Sequence, residues 1–505
     1  MRIVDVVKNF ANTGKKFETG HRYVMPEDIE SNYRSVNGDC LGMSYPIESV
    51  GFRNYENQPL DNKRIFMFRT GGIGDLFFLN AAIRYLKKRY PTCFIRVATG
   101  CPEPLENLPE VNELYPMPFD ASLLQDVDFV RYFQGIIEGG SESSKTLNAV
   151  DMFLSYFGID SLQSPAEEKR PKLFFKKEEM DWRDKTLPVL HVESNDYVIG
   201  IQMETSAPLR NFPKEKMKAI VDILAQEENI KIVLIGTEQH ELLGQFFKGK
   251  NSNVILATKF TVRQSMIVAT RYDLIISPDS FMVQVAGALE KPLIGLYGPF
   301  PSNVRMKYFK NAIGMDPSVV CSPCYKHDFR ACIKGFPSPC FSQMNVEDVL
   351  QAIDYQKSKF TGSHFKYMNP FLSAPDLSEI EKYTMSADKG LCFFGGYYNH
   401  PNMTKVDTNP FVKADITDLN TEFRREAFPF VLYIGPIGFQ PKNKSCFEGS
   451  KGLVRPGGHF ILYTVNSDEA FFSEVQKDLG KNFILLLTKY DPARRLTIIV
   501  AKKPY

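Results

Sequence analysis

The pattern of apolar and polar positions is clearest in residues 64–88, where a continuous apolar run is followed by apolar residues at helical spacing. Four consecutive apolar residues, Ile65 to Phe68, are typical of a buried strand. A glycine-rich turn, Thr70 to Gly74, follows directly. Helical spacing then places a set of apolar residues on one face: Leu79, Ala82, Ile83 and Leu86. The pattern therefore predicts a strand, a tight turn and a helix, which together open a Rossmann-like α/β unit.

Alternating strands and helices recur along the chain, and stretches rich in Pro, Gly or charge separate the groups. We therefore predict an α/β protein with two Rossmann-like domains, a small N-terminal α+β appendage and a third Rossmann-like unit at the C-terminus. The appendage is either a docking module or a plain N-terminal cap. The predicted boundaries are 1–58 for the appendage, 59–190 and 191–355 for the two domains, 356–385 for a linker and 386–505 for the C-terminal unit.

Composition and charge indicate which partners and which cellular compartment to expect. The net charge of +2 gives no sign of a nucleic-acid or anionic-membrane partner. No apolar run is long enough to cross a bilayer, and the N-terminal segment MRIVDVVKNF lacks the apolar core of a signal peptide. Nine cysteines, an odd number, indicate a reducing compartment. We therefore expect a cytoplasmic protein without a transmembrane segment.

The candidate chemistry of the opening unit is at its glycine turn. Gly72 and Gly74 let the backbone turn sharply and approach a ligand closely. Asp75 follows at the start of the predicted helix, beyond the carboxyl end of the strand, where open α/β sheets bind ligands. Asp75 is therefore either a functional carboxylate or only the cap of its helix.

Polar residues also follow the predicted strands of the second domain. They stand where the chain leaves the sheet and where the next helix offers its free N–H groups. They include the polar loop from Glu204 to Arg210 and the exit turn from Ser277 to Ser280.

Three stretches, in this order, resemble glycosyltransferase family 9, the heptosyltransferases of lipopolysaccharide synthesis. GGIGDLFFLNAAIRYLKKRYP resembles the family's opening motif. APLRNFPKEKM resembles its basic residue, spacer, aromatic and proline, and DLIISPDSFMVQVAGALEKPLIGLYGP resembles its donor-site signature. The resemblance covers about residues 62–352 and implies the GT-B fold, in which two Rossmann-like domains face each other.

The resemblance also implies an activity and the residues for it. The family's base is the Asp of the glycine loop, Asp75 here, which takes the proton of the acceptor hydroxyl as the sugar is transferred with inversion. The donor would be a nucleoside-diphosphate sugar, heptose-like or other, and the acceptor a glycan or lipid-linked glycan. Donor and phosphate contacts would come from Gly72, Gly74, Arg210, Glu238, Asp279, Ser280 and Gln284. Sugar transfer would require no metal or other cofactor, because Arg210 and helix N-termini can carry the diphosphate charge.

Two positions depart from the family pattern. Phe281 stands where the family has Gly, and Gln284 stands where it has His. A bulky ring changes the donor pocket, and a glutamine cannot titrate. Two alternatives therefore stay open. One is a catalytically inactive protein that uses the fold for binding or as a scaffold, and the other is a sugar transferase that modifies nucleic acid, against which the balanced charge argues.

Four cysteines cluster near the end of the second domain: Cys321, Cys324, Cys332 and Cys340. The first pair has the spacing of zinc ligands, whereas the later gaps are shorter than in most zinc ribbons. Relatives in the family carry similar cysteines here, which implies a structural role. We expect either a structural zinc site, with His327 as a spare ligand, or free or disulfide-bonded thiols.

The C-terminal unit resembles class I S-adenosylmethionine-dependent methyltransferases. Asp407 stands where those enzymes place an acid against the ribose of the cofactor, and Gly395 and Gly396 stand where they have a longer glycine motif. The helices before the first strand are missing. We therefore expect a degenerate unit that binds S-adenosylmethionine weakly or not at all and packs on the transferase domains.

Overall fold

The structure is a computed structural model of the 505-residue chain. It describes residues 1–12, 15–47, 53–137, 147–162, 164–317, 319, 321–325, 332–335, 338–342, 344–363, 390–393, 403–406, 428–435, 454–464, 469–480, 483–491 and 496–502. The chain divides into two compact units. The first comprises Met1–Phe212, Asn229–Gly314 and Ser322–Phe336, and the second comprises Pro213–Glu228, Met315–Cys321 and Pro337–Tyr505.

The N-terminal segment of the first unit is a small sheet with one helix. Its elements are β1 (Arg2–Val6), β2 (Phe10–Asn12), β3 (Lys15–Phe17), β4 (Arg22–Met25), α1 (Glu27–Asn37), the 3-10 turn Gly38–Cys40 and β5 (Leu41–Pro46). Strand β1 pairs antiparallel with both β4 and β5. Strands β2 and β3 form a separate hairpin.

The first parallel sheet follows. Its region comprises β6 (Arg64–Arg69), α2 (Ile73–Arg89), β7 (Phe94–Thr99), β8 (Glu113–Pro116), β9 (Phe119–Asp120), the 3-10 helix Ala121–Leu124, β10 (Phe129–Tyr132), α3 (Ala149–Ser155), the 3-10 helix Ala166–Lys169 and α4 (Lys177–Val189). The sheet order is β10-β6-β7-β8, with all pairs parallel. Strand β9 leaves this sheet and joins the N-terminal one, where Phe119 lies opposite Val24 of β4.

Both faces of the first sheet are covered, by different kinds of structure. On one face, side chains from β6 and β7 pack with α2 and α3 in a single apolar core. On the other face, Phe66 and Phe68 of β6 pack with Ile3, Val24 and Ile47. The N-terminal segment thus supplies the layer that a helix supplies in most α/β sheets.

The second parallel sheet has the Rossmann strand order. Its elements are β11 (Tyr197–Gln202), the 3-10 helix Pro208–Arg210, β12 (Ile230–Ile235), the 3-10 helix Glu238–His240, β13 (Val254–Ala257), β14 (Leu274–Pro278), β15 (Leu293–Leu296) and β16 (Ala312–Met315). The strand order β13-β12-β11-β14-β15-β16 reverses between β11 and β14, and parallel pairing joins each of β11–β15 to its neighbour in the order. Such a reversal is where open sheets bind ligands.

Five helices alternate with these strands in the chain order. They are α5 (Lys214–Leu224), α6 (Glu241–Lys248), α7 (Val262–Ala269), α8 (Phe281–Ala288) and α9 (Asn303–Met306). Helix α5 belongs to the second unit, whereas the other four belong to the first. Helix α2 is apolar on nearly every side, which is expected of a helix between two cores. Its Leu76 and Phe78 pack in the core of the first sheet, and its Phe77 packs in the core of the second with Met282 and Val283 of α8.

The second unit contains α5, α10 (Pro339–Ser342) and α11 (Val346–Thr361), and the Lys216 ammonium group donates to the carbonyls of Phe341, Ser342 and Met344. A six-stranded sheet follows in the order β18-β17-β19-β20-β22-β21. Its elements are β17 (Gly390–Phe393), β18 (Met403–Val406), β19 (Phe428–Gly435), β20 (Val454–Thr464), α12 (Glu469–Leu479), β21 (Ile484–Asp491) and β22 (Leu496–Lys502). The first four strands are parallel, and the last two form an antiparallel hairpin.

The protein is therefore an α/β protein built on parallel sheets. Among the helices of the described residues, none is long and apolar enough to cross a membrane.

Candidate active site

The glycine turn after β6 determines where Asp75 lies. Gly72 precedes α2 with φ of +81°, a left-handed conformation that favours glycine. Its carbonyl accepts the Asp75 N–H at 2.9 Å, which starts the helix. A Cβ atom at Gly72 would lie 2.4 Å from Asp75 Oδ2. The turn therefore needs glycine both for its backbone and for the space that the carboxylate occupies.

Arg69, the last residue of β6, holds this carboxylate. Its side chain is fully buried, and Nη2 lies 2.5 Å from Asp75 Oδ2. Nε donates to the Gly71 carbonyl at 3.0 Å, and Nη1 donates to the carbonyl of Phe133. A quarter of the Asp75 side chain is exposed to solvent. Arg69 thus fixes the direction of a carboxylate that a substrate can still reach.

Sequence reasoning did not find Arg69. The sequence does contain a signal for it, because Arg69 ends an otherwise apolar strand. An arginine at such a place is expected to be buried, and a buried charge needs a partner.

Helix α8 of the second sheet lies directly against this turn. A Cβ atom at Gly74 would be 4.0 Å from Gln284 Cγ and 4.0 Å from the Cα of Phe281. The start of α2 therefore lies within van der Waals range of α8, and a methyl group at Gly74 would still fit. The structure therefore brings Asp75 and the predicted donor helix together.

Gln202 organises the point where the second sheet reverses its order. It ends β11 and is buried, and its Nε2 donates to Ser280 Oγ at 2.7 Å and to the Glu204 carbonyl at 3.1 Å. Its Oε1 accepts the Met282 N–H at 3.3 Å. Gln202 thereby ties the exit of β11 to the first turn of α8. Sequence reasoning did not find it, because its partners are about 80 residues away in the chain.

Two arginines flank Asp279, which is buried at the exit of β14. Arg210 Nη1 donates to the Asp279 carbonyl at 2.8 Å and lies 3.8 Å from Oδ2 of its carboxylate. Arg305 of α9 approaches from the other side, with Nε 3.7 Å from Oδ1. Arg210 and Asp279 were predicted from the sequence and meet in the structure, whereas Arg305 was not predicted.

Several buried polar atoms at this place have no hydrogen-bond partner among the described residues. They are Arg210 Nε, Asp279 Oδ2 and Gln284 Oε1. Buried polar atoms are normally satisfied, so a group of unsatisfied ones indicates a site that a ligand completes.

Glu238 is less closely tied to this group. It is exposed on the 3-10 turn after β12, next to Thr237 and His240, whose side chains contact each other. Its placement at the carboxyl edge of the second sheet agrees with the predicted location, but no contact with the Asp279 group is seen within the described residues.

The four clustered cysteines do not form a metal centre in the described part of the chain. No group of three or more His, Cys, Asp or Glu residues there could hold a metal ion, and no disulfide joins the described cysteines. Cys321 and Cys324 are exposed, and Cys340 is buried with Sγ 3.1 Å from Ser338 Oγ. The described geometry therefore gives the zinc hypothesis no support. The spare ligand His327 lies outside the described residues.

The residues predicted to bind S-adenosylmethionine, Gly395, Gly396 and Asp407, also lie outside the described residues. The methyltransferase resemblance of the C-terminal unit stays a prediction.

Comparison with known proteins assigns one stretch of the chain to a family. Residues 145–331 match the profile of glycosyltransferase family 9 (heptosyltransferase). This stretch is a glycosyltransferase family 9 domain. The family 9 match includes Arg210, Glu238, Asp279, Ser280 and Gln284, whereas the glycine turn and Asp75 precede it.

The similar solved structures include three glycosyltransferases. A family 9 glycosyltransferase from Veillonella parvula is 16% identical, with a TM-score of 0.48 over 60% of this chain and 99% of that one. The ADP-heptose heptosyltransferase II of E. coli is 17% identical, with a TM-score of 0.45 over 58% and 98%. The iron-containing dodecameric glycosyltransferase TibC of enterotoxigenic E. coli is 16% identical, with a TM-score of 0.43 over 60% and 77%. No curated protein matches the chain.

Proposed function

We propose that this family 9 protein transfers a sugar, a heptose or another, from a nucleoside-diphosphate donor to a hydroxyl group of a glycan, with inversion. One observation carries the proposal: Asp75, with its oriented carboxylate, stands where α2 meets α8, and Asp279 and Ser280 directly precede α8, with Asp279 between two arginines. A base and an anion-binding helix start thus share one site.

The chemistry follows from this arrangement. The acceptor oxygen attacks the anomeric carbon and gives its proton to Asp75. The bond between that carbon and the phosphate oxygen breaks, and its electron pair stays on the nucleoside diphosphate. Arg210 and the N–H groups at the start of α8 hold the negative charge of the leaving group.

The remaining predicted residues serve recognition in this proposal. Asp279 accepts from sugar hydroxyls, for which its Oδ2 has no partner among the described residues. Gln284 offers the unsatisfied Oε1 to the donor, and Glu238 binds the ribose or the sugar from the exposed turn after β12. Gly72 leaves room for the Asp75 carboxylate, and Gly74 lies next to α8.

A panel of ADP-, UDP-, GDP- and TDP-sugars tests the proposal. Purified protein should bind at least one of them and hydrolyse or transfer its sugar. If none binds and none is turned over, the proposal is wrong.

Asp75→Asn separates catalysis from binding. The amide cannot accept the proton, so turnover should fall on the order of 10²- to 10⁴-fold while donor affinity stays within a few-fold. Unchanged function of Asp75→Asn in the cell would instead favour a binding or scaffold protein that retains the fold.

The proposed transfer needs no metal, because guanidinium groups and helix N-termini carry the diphosphate charge. Activity should therefore persist in EDTA. A loss of activity in EDTA that magnesium restores would contradict this part of the proposal.

We also propose that the protein works in the reducing cytoplasm, because an odd number of cysteines, nine, is typical of a reducing compartment.

A further inference from the structure

Gln202 has no role in the reaction as described above. We propose that Gln202 is a positioning residue, which caps α8 in place of Ser280 and thereby holds the Ser280 hydroxyl as a hydrogen-bond donor to the diphosphate of the sugar donor. This inference deepens the proposed function and rests on it, since it assumes a nucleoside-diphosphate donor.

The orientation of the Gln202 amide follows from its partners. The Glu204 carbonyl can only accept and lies 3.1 Å from Nε2, whereas the Met282 N–H can only donate and lies 3.3 Å from Oε1. Ser277 Oγ lies 3.2 Å from the same Oε1. Because Nε2 carries only donors, Ser280 Oγ, at 2.7 Å from it, accepts a hydrogen bond from Gln202.

Ser280 stands at the N-cap of α8 but does not cap the helix with its side chain. A serine at this position usually accepts the N–H of the second or third helical residue with its hydroxyl oxygen. Among the described residues, Ser280 Oγ accepts no backbone N–H. The Met282 N–H, which the helix itself leaves without a partner, goes to Gln202 Oε1, and the Val283 N–H goes to the Ser280 carbonyl at 3.2 Å. Gln202 therefore takes the capping role of the serine.

The hydroxyl hydrogen of Ser280 is available to a ligand. Within the described part of the chain, Gln202 Nε2 is the one hydrogen-bond partner of Ser280 Oγ, and it leaves the hydroxyl hydrogen without an acceptor. A hydroxyl whose oxygen accepts a hydrogen bond is a better donor, because hydrogen bonds in a chain polarise one another. Ser280 is partly exposed. An anion is the acceptor that such a donor binds best.

The residues beside Ser280 indicate that this anion is the diphosphate. Asp279 directly precedes Ser280, and its carbonyl accepts from Arg210 Nη1 at 2.8 Å. Arg210 Nε and Asp279 Oδ2 are buried and have no hydrogen-bond partner among the described residues. The Ser280 hydroxyl thus borders the same incomplete polar site as the guanidinium that binds phosphate oxygens in the proposed function.

Gln202 is fixed in place before any ligand binds. It ends β11, which pairs with β12 on one side and with β14 on the other, where Ile201 lies opposite Ile276. Its side chain is buried, and both the nitrogen and the oxygen of its amide have partners. Donors that are oriented by a rigid framework bind charge without reorganisation. Gln202 can therefore act on the diphosphate only through Ser280.

Calorimetry on the full-length protein tests the inference. Titration of the wild type with ADP, UDP, GDP and dTDP first identifies the nucleoside diphosphate that binds. Ser280→Ala should weaken that binding roughly 10- to 100-fold, the scale of a hydrogen bond to a charged group, and change binding of the matching nucleoside by less than about twofold. Gln202→Met, which removes the amide at nearly constant volume, should weaken diphosphate binding roughly 5- to 50-fold and likewise spare the nucleoside.

A double-mutant cycle separates positioning from general support of the fold. If Gln202 acts through the Ser280 hydroxyl, Gln202→Met should weaken diphosphate binding by less than about threefold in the Ser280→Ala background. Equal losses from Gln202→Met in both backgrounds would show that Gln202 only supports the fold of the site, and would overturn the inference.

Asn80→Leu is the matched control. Asn80 is buried on α2, and its amide is also bonded at both ends. Nδ2 donates to the carbonyls of Pro104 at 2.8 Å and Lys172 at 2.9 Å, and Oδ1 accepts the Lys172 N–H at 3.1 Å. None of these partners is assigned to the sugar donor. Asn80→Leu should therefore lose stability and keep the diphosphate affinity of the wild type.

A second variant covers the case in which Gln202→Met does not fold. The carboxylate of Gln202→Glu still accepts the Met282 N–H, but it makes the Ser280 hydroxyl donate to it instead of to the ligand. Its loss of diphosphate affinity should likewise be smaller in the Ser280→Ala background, and an equal loss in both backgrounds would contradict the inference.

The possible failures are distinguishable. A wild type that binds one diphosphate, together with a folded Ser280→Ala or Gln202→Met variant that keeps the wild-type affinity, would overturn this inference alone. A wild type that binds none of the four diphosphates would overturn the proposed function and this inference with it.

Discussion

At the scale of single residues, the orientation of Asp75 depends on one buried guanidinium. Arg69 contacts the Asp75 carboxylate and the carbonyls of Gly71 and Phe133 with different nitrogens. A lysine keeps the charge but cannot bridge three acceptors. Arg69→Lys should therefore lower kcat much more than it raises KM. It should also cost about 1.5–3 kcal/mol of stability, the scale of a lost charged hydrogen bond. Steady-state kinetics and urea unfolding measure the two effects.

The control for this prediction is Arg131→Lys. Arg131 of β10 also bridges two carbonyls, those of Tyr55 and Tyr156, but it contacts no predicted site residue. Its replacement should lower stability and leave kcat unchanged. Equal losses of kcat in both variants would mean that Arg69 acts only through stability.

The sequence predicted one kind of site residue and missed another. Residues in loops after strands could be predicted, since the carboxyl ends of parallel strands share one edge. Arg210, Asp279 and Ser280 do meet at that edge. This rule misses Arg69 and Gln202, which end their strands, and Arg305, which lies on α9.

At the scale of elements, the turn between β6 and α2 can be tested with two neighbouring glycines. A Cβ atom at Gly72 would lie 2.4 Å from Asp75 Oδ2, and the residue has a positive φ. Gly72→Ala should therefore displace the carboxylate, reduce kcat strongly and cost at least about 1 kcal/mol for the left-handed conformation alone. Kinetics and thermal unfolding measure both effects.

Gly71→Ala is the matched control, since a Cβ atom at Gly71 would meet nothing within 4 Å. Its activity and stability should stay close to those of the wild type. Comparable losses in the two variants would show that the turn does not depend on the contact between Gly72 and Asp75.

A second contact between elements can be tested at the buried hydrogen bonds around Asp151 of α3. Burial, followed by the hydrogen bond to Asp151 and its charge, raises the pKa of Tyr308 far above its usual value. Asp151 also accepts from Ser161 Oγ at 2.6 Å and from Lys169 Nζ at 2.9 Å. Tyr308→Phe removes one hydrogen-bond donor from a buried carboxylate. It should therefore lower the free energy of unfolding by about 1–3 kcal/mol. Urea unfolding gives the value.

Tyr85→Phe serves as the comparison for Tyr308→Phe. The Tyr85 hydroxyl lies 2.6 Å from Ser164 Oγ in a partly exposed place, where water can replace the lost partner. Tyr85→Phe should lower the free energy of unfolding by less than about 1 kcal/mol. A Tyr308→Phe variant that loses no more than Tyr85→Phe would contradict the role given to the network.

Apolar periodicity predicted whether a segment is a strand or a helix more reliably than it predicted which elements pair with each other. The strand at 65–68 and the helix that carries Leu79 and Leu86 were predicted correctly, because each has a clear apolar pattern and a glycine turn lies between them. Strand β16 was missed, since four residues carry little pattern. The two-residue β9 was missed for the same reason, although its pairing with β4 joins the N-terminal sheet to this region.

At the scale of the whole first unit, the N-terminal segment is attached by apolar packing, by the pairing of β4 with β9 and by one exposed ion pair. His21 Nδ1 lies 2.7 Å from Asp120 Oδ2. The hydrogen bond to Asp120, and then its charge, raises the pKa of His21 above its usual 6.5. Burial raises the pKa of Asp120, but hydrogen bonds from His21 and Ser122 outweigh it and hold that pKa below its usual 3.8.

The signs of these shifts set a pH window for the attachment. The contribution of His21 is complete below pH 6.5 and is lost as pH rises through its raised pKa. The contribution of Asp120 is complete above pH 3.8 and is lost as pH falls through its lowered pKa. The segment should therefore be held most tightly between about pH 4 and pH 6.5 and loosen towards pH 8.

Hydrogen exchange of the β4 amides measures this loosening, because it reports local opening rather than global unfolding. After correction for intrinsic exchange, protection at Tyr23 and Val24 should fall between pH 6 and pH 8 in the wild type. In Asp120→Asn it should be lower at pH 6 and nearly independent of pH. Two other charged groups face the pair: Glu18, 3.7 Å from His21 Nε2, and Lys15, whose charge acts on Asp120. A pH dependence that persists unchanged in Asp120→Asn would therefore assign it to Glu18 or Lys15 and refute the role of the His21–Asp120 pair.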